Sequence, residues 1–254
     1  MTNSTEQQKP RSPRRLLILI GVLPVMLWIG REFALGRTIW YFRVADLADM
    51  AILGPILMAI LLYLLFYMLR HGASTQLVVV FAVFSIAFMW SHAMHATANA
   101  IDTFATEVRD YRHMMPEDLY QLIFFLDERL SHWLLFGTVT GLIACWLIFD
   151  RMAIASPILP RNLLLLLILG IIYGIVKAYG LIEARAVPLV IPMFIILMGL
   201  WFWYWRRSAL SLTEYLRHRP FTTFVAIMSI FAVVTMVVWG IVFNGFPQPS
   251  EIFF

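Results

Sequence analysis

Residues 221–244 read FTTFVAIMSIFAVVTMVVWGIVFN, with no Asp, Glu, Lys, Arg or His among them. A helix of this length crosses the roughly 30 Å of a bilayer's hydrocarbon, and an uncharged surface suits a solvent that cannot hydrate ions. Working outward from it, five similar apolar runs precede it, at about 49–69, 77–108, 117–149, 162–181 and 187–205. A shorter run at 16–30 reads as a further helix, because no small-x-small cleavage site follows it. The expectation is an all-α polytopic bundle of about seven transmembrane helices. It forms a single transmembrane domain over 16–254, behind a disordered basic tail at 1–15.

The composition agrees. Of 254 residues 61% are hydrophobic and only 13% charged, where a soluble domain carries about 25%. Mean hydropathy is +0.82. The net charge of +4 would suggest nucleic acid in a soluble chain. Here the basic residues lie between apolar runs, so the partner is the lipid bilayer and no nucleic acid is expected. Placing the N-terminus inside puts Lys9, Arg11, Arg14, Arg15, Arg70, Arg151, Arg161, Arg206, Arg207, Arg217 and Arg219 on cytoplasmic segments, eleven of the 19 basic residues. The excess of Lys and Arg on cytoplasmic loops favours that orientation, with the C-terminus outside a plasma or bacterial inner membrane. Trp201, Trp203 and Trp205 beside Arg206-Arg207 make an interfacial anchor. The single cysteine, Cys145, excludes an intrachain disulfide and reads as a small buried hydrophobe.

The most informative stretch is the pair of long helices around residues 77–149. Pro116, Glu117 and Asp118 suit a helix start, so both helices are expected to project past the membrane and turn near Tyr111–Met115. Counting 100° per residue from His92, Asn99 falls at about −20°, His95 at about −60° and Asp102 at about −80°. These four polar groups share one arc among apolar neighbours. On the second helix Glu128 and His132 form an i, i+4 pair with Ser131 beside them, whereas Asp127 joins only from the edge. Antiparallel pairing about the turn sets His95 opposite Ser131, His92 near His132 and Asn99 opposite Asp127.

Two cofactor chemistries suit such a cluster. His92, His95 and His132 form a candidate metal set for a divalent ion, zinc first, with iron, manganese or copper as alternatives. Asp102, Asp127 and Glu128 are the candidate catalytic acids, as general base or as partners that orient a histidine. Bis-histidine haem is the other cofactor option. A metal-dependent, hydrolase-like enzyme acting on a lipid-like, membrane-associated substrate is the leading expectation. A proton- or ion-coupled transporter, a haem electron carrier, and a structural or assembly subunit stand as rivals.

Other signals are weaker. Lys177, Glu183 and Arg185 line the same cavity or sit as snorkelling interface residues. His113 is expected to be solvated in the turn. Residues 31–43 suggest an amphipathic surface helix, and Gly137-x-x-x-Gly141 a close helix contact on the face away from the polar cluster. No GxSxG, HExxH, Walker or GxGxxG pattern occurs.

Seven helices with Ser91-x-x-x-His95 resemble the superfamily of seven-helix membrane hydrolases that includes alkaline ceramidases and adiponectin-receptor-like proteins. The resemblance implies zinc held by three histidines, with a serine and an aspartate nearby. Two of that family's histidines come from an H-x-x-x-H motif in the last helix, and residues 221–244 contain no histidine.

Overall fold

The computed structural model describes residues 38–39, 42–108, 111–152, 157–249 and 252. The basic tail and the helix expected at 16–30 lie outside the described residues. Among the described residues six helices are long and apolar enough to span a membrane. In chain order they are α1 (Val44–Arg70), α2 (Thr75–Thr106), α3 (Glu117–Met152), α4 (Pro160–Glu183), α5 (Val187–Arg207) and, after the short α6 (Leu212–His218), α7 (Pro220–Val242). Each matches an expected run to within a few residues. Where residues 38–43 are described they do not form the amphipathic helix suggested by their composition. Thr38–Ile39 and Phe42–Arg43 pair as a two-stranded antiparallel ribbon.

Local chemistry sets the helix ends. Proline opens α4, α5 and α7, where its missing N–H costs nothing. The Ser74 hydroxyl accepts from the Leu77 N–H at the start of α2. Gly72, at φ +80°, makes the left-handed turn that lets α1 reverse into α2. A capping box between Ser211 and Glu214 starts α6. The start of α7 is capped from another helix: the buried carboxylate of Asp150, near the end of α3, accepts from the Thr222 N–H at 3.1 Å and from the Thr222 hydroxyl.

Two apolar clusters form the core. One joins α1, α2 and the last turns of α3 through Leu61, Met68, Phe81, Trp146 and Phe149. The other joins α3, α4, α5 and α7 through Phe136, Leu166, Ile182, Phe194 and Met228. The tightest packing is between α4 and α7. Gly170 and Gly174 permit it: a Cβ on Gly174 would stand 2.5 Å from the Met228 carbonyl oxygen. This is the small-xxx-small contact of the described bundle. The pair expected at Gly137 and Gly141 divides differently. Gly141 lies against the Phe84 ring of α2, and a Cβ on Gly137 would meet nothing within 4 Å.

The ends of the bundle differ in charge. Arg151, Arg207, Arg217 and Arg219 gather at one end, with Arg151 over the Tyr204 ring at 4.9 Å and Arg217 donating to the Ile158 carbonyl. Asp46, Asp49, Asp127 and Glu128 lie at the other, on the hairpin end. At about 1.5 Å per residue, α2 and α3 exceed the hydrocarbon thickness. They extend into the hairpin, whose described turn is a single 3₁₀ turn at Arg112–Met114.

Candidate functional site

Three helices leave regular α geometry at the same end of the bundle. α1 has a π-helical segment at Asp49–Leu53, α2 runs into one at Phe104–Val108, and α3 contains one at Phe125–Ser131. A π turn costs helix stability and is found preferentially at functional sites. It also packs more residues into a turn, so face assignments counted at 100° per residue drift when they cross it. The segment in α3 contains Asp127, Glu128 and Ser131, and His132 follows at once.

That drift decides which acid reaches the cluster. Asp127, expected at the edge, is the central one: it is buried, and its Oδ1 lies 2.8 Å from His95 Nδ1. Ser131 Oγ lies 3.4 Å from the same nitrogen, as the antiparallel pairing anticipated. The Ser131 hydroxyl proton goes to the Asp127 carbonyl, so its oxygen is an acceptor toward His95. His95 Nδ1 therefore lies near two oxygens, at ion-pair distance from Asp127 but without the alignment of a hydrogen bond to its Oδ1.

His132 is oriented the same way. Its Nδ1 donates to the Glu128 carbonyl at 2.9 Å, with a Glu128 carboxylate oxygen 3.9 Å away. The His95 and His132 rings lie 4.7 Å apart, inclined by 46°. The pairing by sequence number had set His92 near His132, and the π segment shifts that neighbour to His95. Ring centres 4.7 Å apart leave no space for a porphyrin between these two histidines. His92 lies against Gly54 of α1, within 4.0 Å of the position of a Cβ there, and stacks on Phe88. Glu128 is half-buried, with Asp127, His95, Arg185 and Asp102 in its electrostatic surroundings. No group of three His, Cys, Asp or Glu side chains is placed to hold a metal ion among the described residues.

The sequence reading missed the contribution of α1. Asp46 is buried and accepts from Asn99 Nδ2 at 2.9 Å, which takes Asn99 away from the Asp127 expected opposite it. Arg43 Nε lies 3.4 Å from Asp46, and Arg43 Nη2 donates to Thr103 at 2.7 Å. These bonds brace α1 against α2 just above the histidines. The available signal was Asp46-x-x-Asp49, two acids one turn apart at the start of an apolar run. Ser91, which carried the family resemblance, is fully buried and donates to the Phe88 carbonyl of its own helix.

A cavity of about 470 Å³ opens between the two apolar clusters, within the roughly 300–1,000 Å³ of small-molecule sites. Asp49, His92, His95 and Lys177 lie toward its hairpin end, and Leu57, Ile143, Leu197 and Phe224 are among its apolar lining. A second space of about 400 Å³ between α1 and α2 shares Asp49 and His92 with the first, and Met50, Met58 and Met89 line it. Comparison of the chain with protein-family models, with curated proteins and with solved structures gives no match.

Proposed function

We propose that this chain is a membrane-embedded enzyme that performs acid–base chemistry at His95 on an amphiphilic molecule held in the cavity. The observation that carries this reading is the approach of Asp127 to His95, which lines a mostly apolar cavity. A carboxylate on Nδ1 fixes the tautomer and orientation of an imidazole and stabilises the imidazolium that forms when Nε2 takes a proton. Asp127 orients His95 and balances its charge. Ser131 keeps the same nitrogen supplied with an acceptor, and His132 gives a second imidazole of matched tautomer. Glu128 and Asp102 add the negative charge that holds a protonated histidine in place. An apolar cavity beside such a pair suits a substrate with a polar head and a hydrocarbon body.

A second reading keeps the same residues and adds a divalent metal ion, zinc first, with iron, manganese or copper as alternatives. Two imidazoles whose Nδ1 atoms are each tied to an oxygen have the arrangement by which proteins orient ligating histidines. A third ligand would have to come from His92 or Glu128. Bound there, such an ion would lower the pKa of a coordinated water toward about 7.

The test is turnover. The protein is reconstituted in bilayers with a total membrane-lipid extract, and the extract is followed by mass spectrometry. The expected result is at least one amphiphile converted by the wild type and by neither His95→Gln nor Asp127→Ala. Identical profiles for all three proteins would refute acid–base catalysis at His95. Metal analysis of the same preparations, never exposed to chelators, separates the two readings: stoichiometric metal that falls in His132→Ala supports the second.

A further inference from the structure

Lys177 is a cavity-lining cation that the proposed chemistry does not use. It lies six residues before the end of α4, about 9 Å into the helix. Its neighbour in the cavity one turn earlier is Tyr173. Among the described residues Lys177 makes no hydrogen bond and no ion pair. The other ionisable groups on the cavity wall, Asp49, His92 and His95, belong to α1 and α2, with none of them bonded to it. An ammonium group at this depth is unfavourable unless water or an anion compensates it, and intramembrane lysines mark ligand or ion sites for that reason. A surface lysine would snorkel to the interface. This one lines the cavity instead.

From these placements we infer that Lys177 is the anchor for an anionic head group, so that the cavity binds a single-chain amphiphile with an acidic, carboxylate or phosphate, head. The head pairs with the ammonium of Lys177 at the hairpin end, and the chain runs toward Leu197 and Phe224 between the two apolar clusters. The anion then lies in the same cavity end as His95. This extends the acid–base reading by naming the substrate's head group, and rests on it only for what happens after binding.

The experiment measures binding of dodecanoate, dodecyl phosphate and dodecanol to the full chain in bilayer nanodiscs, for wild type, Lys177→Met, Lys177→Arg and His95→Gln. Pairing with a desolvated charge should make at least one of the two acids bind at least about tenfold more tightly than the alcohol. That preference disappears in Lys177→Met and survives in Lys177→Arg. Whichever acid shows it identifies the head. Equal binding of acids and alcohol to the wild type would overturn the inference without any need for a variant to fold, as would an acid preference that persists in Lys177→Met. His95→Gln should bind the acid like wild type while losing turnover. Catalysis can therefore fail while binding stands, and binding can fail while catalysis stands.

Discussion

Replacing Asp150 by alanine should destabilise the bundle more than any other single change at its arginine-rich end. The carboxylate is buried and accepts from the Thr222 N–H at 3.1 Å and from the Thr222 hydroxyl. Thr222 is itself buried, so both donors lose their partner. An unsatisfied buried donor costs about 1–3 kcal/mol, and loss of a helix N-cap by itself costs about 0.5–2 kcal/mol. The two overlap in the Thr222 N–H, which puts the expected loss at about 2–4 kcal/mol. For chains of this size that corresponds to roughly 5–15 °C in the unfolding midpoint. Asp150→Asn keeps an acceptor and loses only the charge opposite the positive end of α7, so about 1 kcal/mol is expected. The assay is thermal unfolding in one fixed detergent, followed by tryptophan fluorescence, with a double-mutant cycle against Thr222→Val. Coupling of 1 kcal/mol or more, on the order seen for residues in direct contact, supports the cross-helix cap. An Asp150→Ala protein as stable as wild type, or additive effects in the cycle, would refute it.

Other outcomes follow from the same structure. Gly174→Val forces side-chain carbons toward the Met228 carbonyl and should cost at least about 1–3 kcal/mol, whereas Gly137→Val, with open space around it, should change little; paired unfolding curves check both. Tyr215 is buried and packs edge-on to Trp201, and that burial pushes its phenol up to about 12. Since the neutral form is favoured in the folded state, its contribution is complete below the ordinary tyrosine value of about 10 and is lost as pH rises toward 12. Absorbance titration should show a late phenolate step that Tyr215→Phe removes. The orientation predicts that His113→Cys, in a Cys145→Ser background, reacts with an impermeant thiol reagent added outside intact cells and Arg161→Cys does not. The reverse pattern would invert the topology.

The apolar runs made the bundle legible because lipid imposes one simple requirement along about 20 residues at a time. The pairing of α2 with α3 was legible too, since a short turn fixes which residues can meet, and Ser131 does stand by His95. What escaped was geometry that no composition records. The π segment at Phe125–Ser131 turns Asp127 inward and brings His95, rather than His92, beside His132. Asp46 and Asn99 escaped for a different reason: their bond spans 53 residues, and nothing local announces it. Gly170 and Gly174 were overlooked in favour of Gly137 and Gly141 because glycine spacing alone does not say which face meets a neighbour.

In the proposed chemistry Asp127 holds the His95 proton on Nδ1 and leaves Nε2 free to take a second one. Nitrogen-15 NMR of histidine-labelled protein in bilayers, with His95→Gln to assign the signal, measures this directly. A protonated Nδ1 and an unprotonated Nε2 on His95, with that tautomer preference weakened in Asp127→Ala, is the expected result. A proton on Nε2, or a tautomer indifferent to the loss of Asp127, would contradict the acid–base role assigned to the pair.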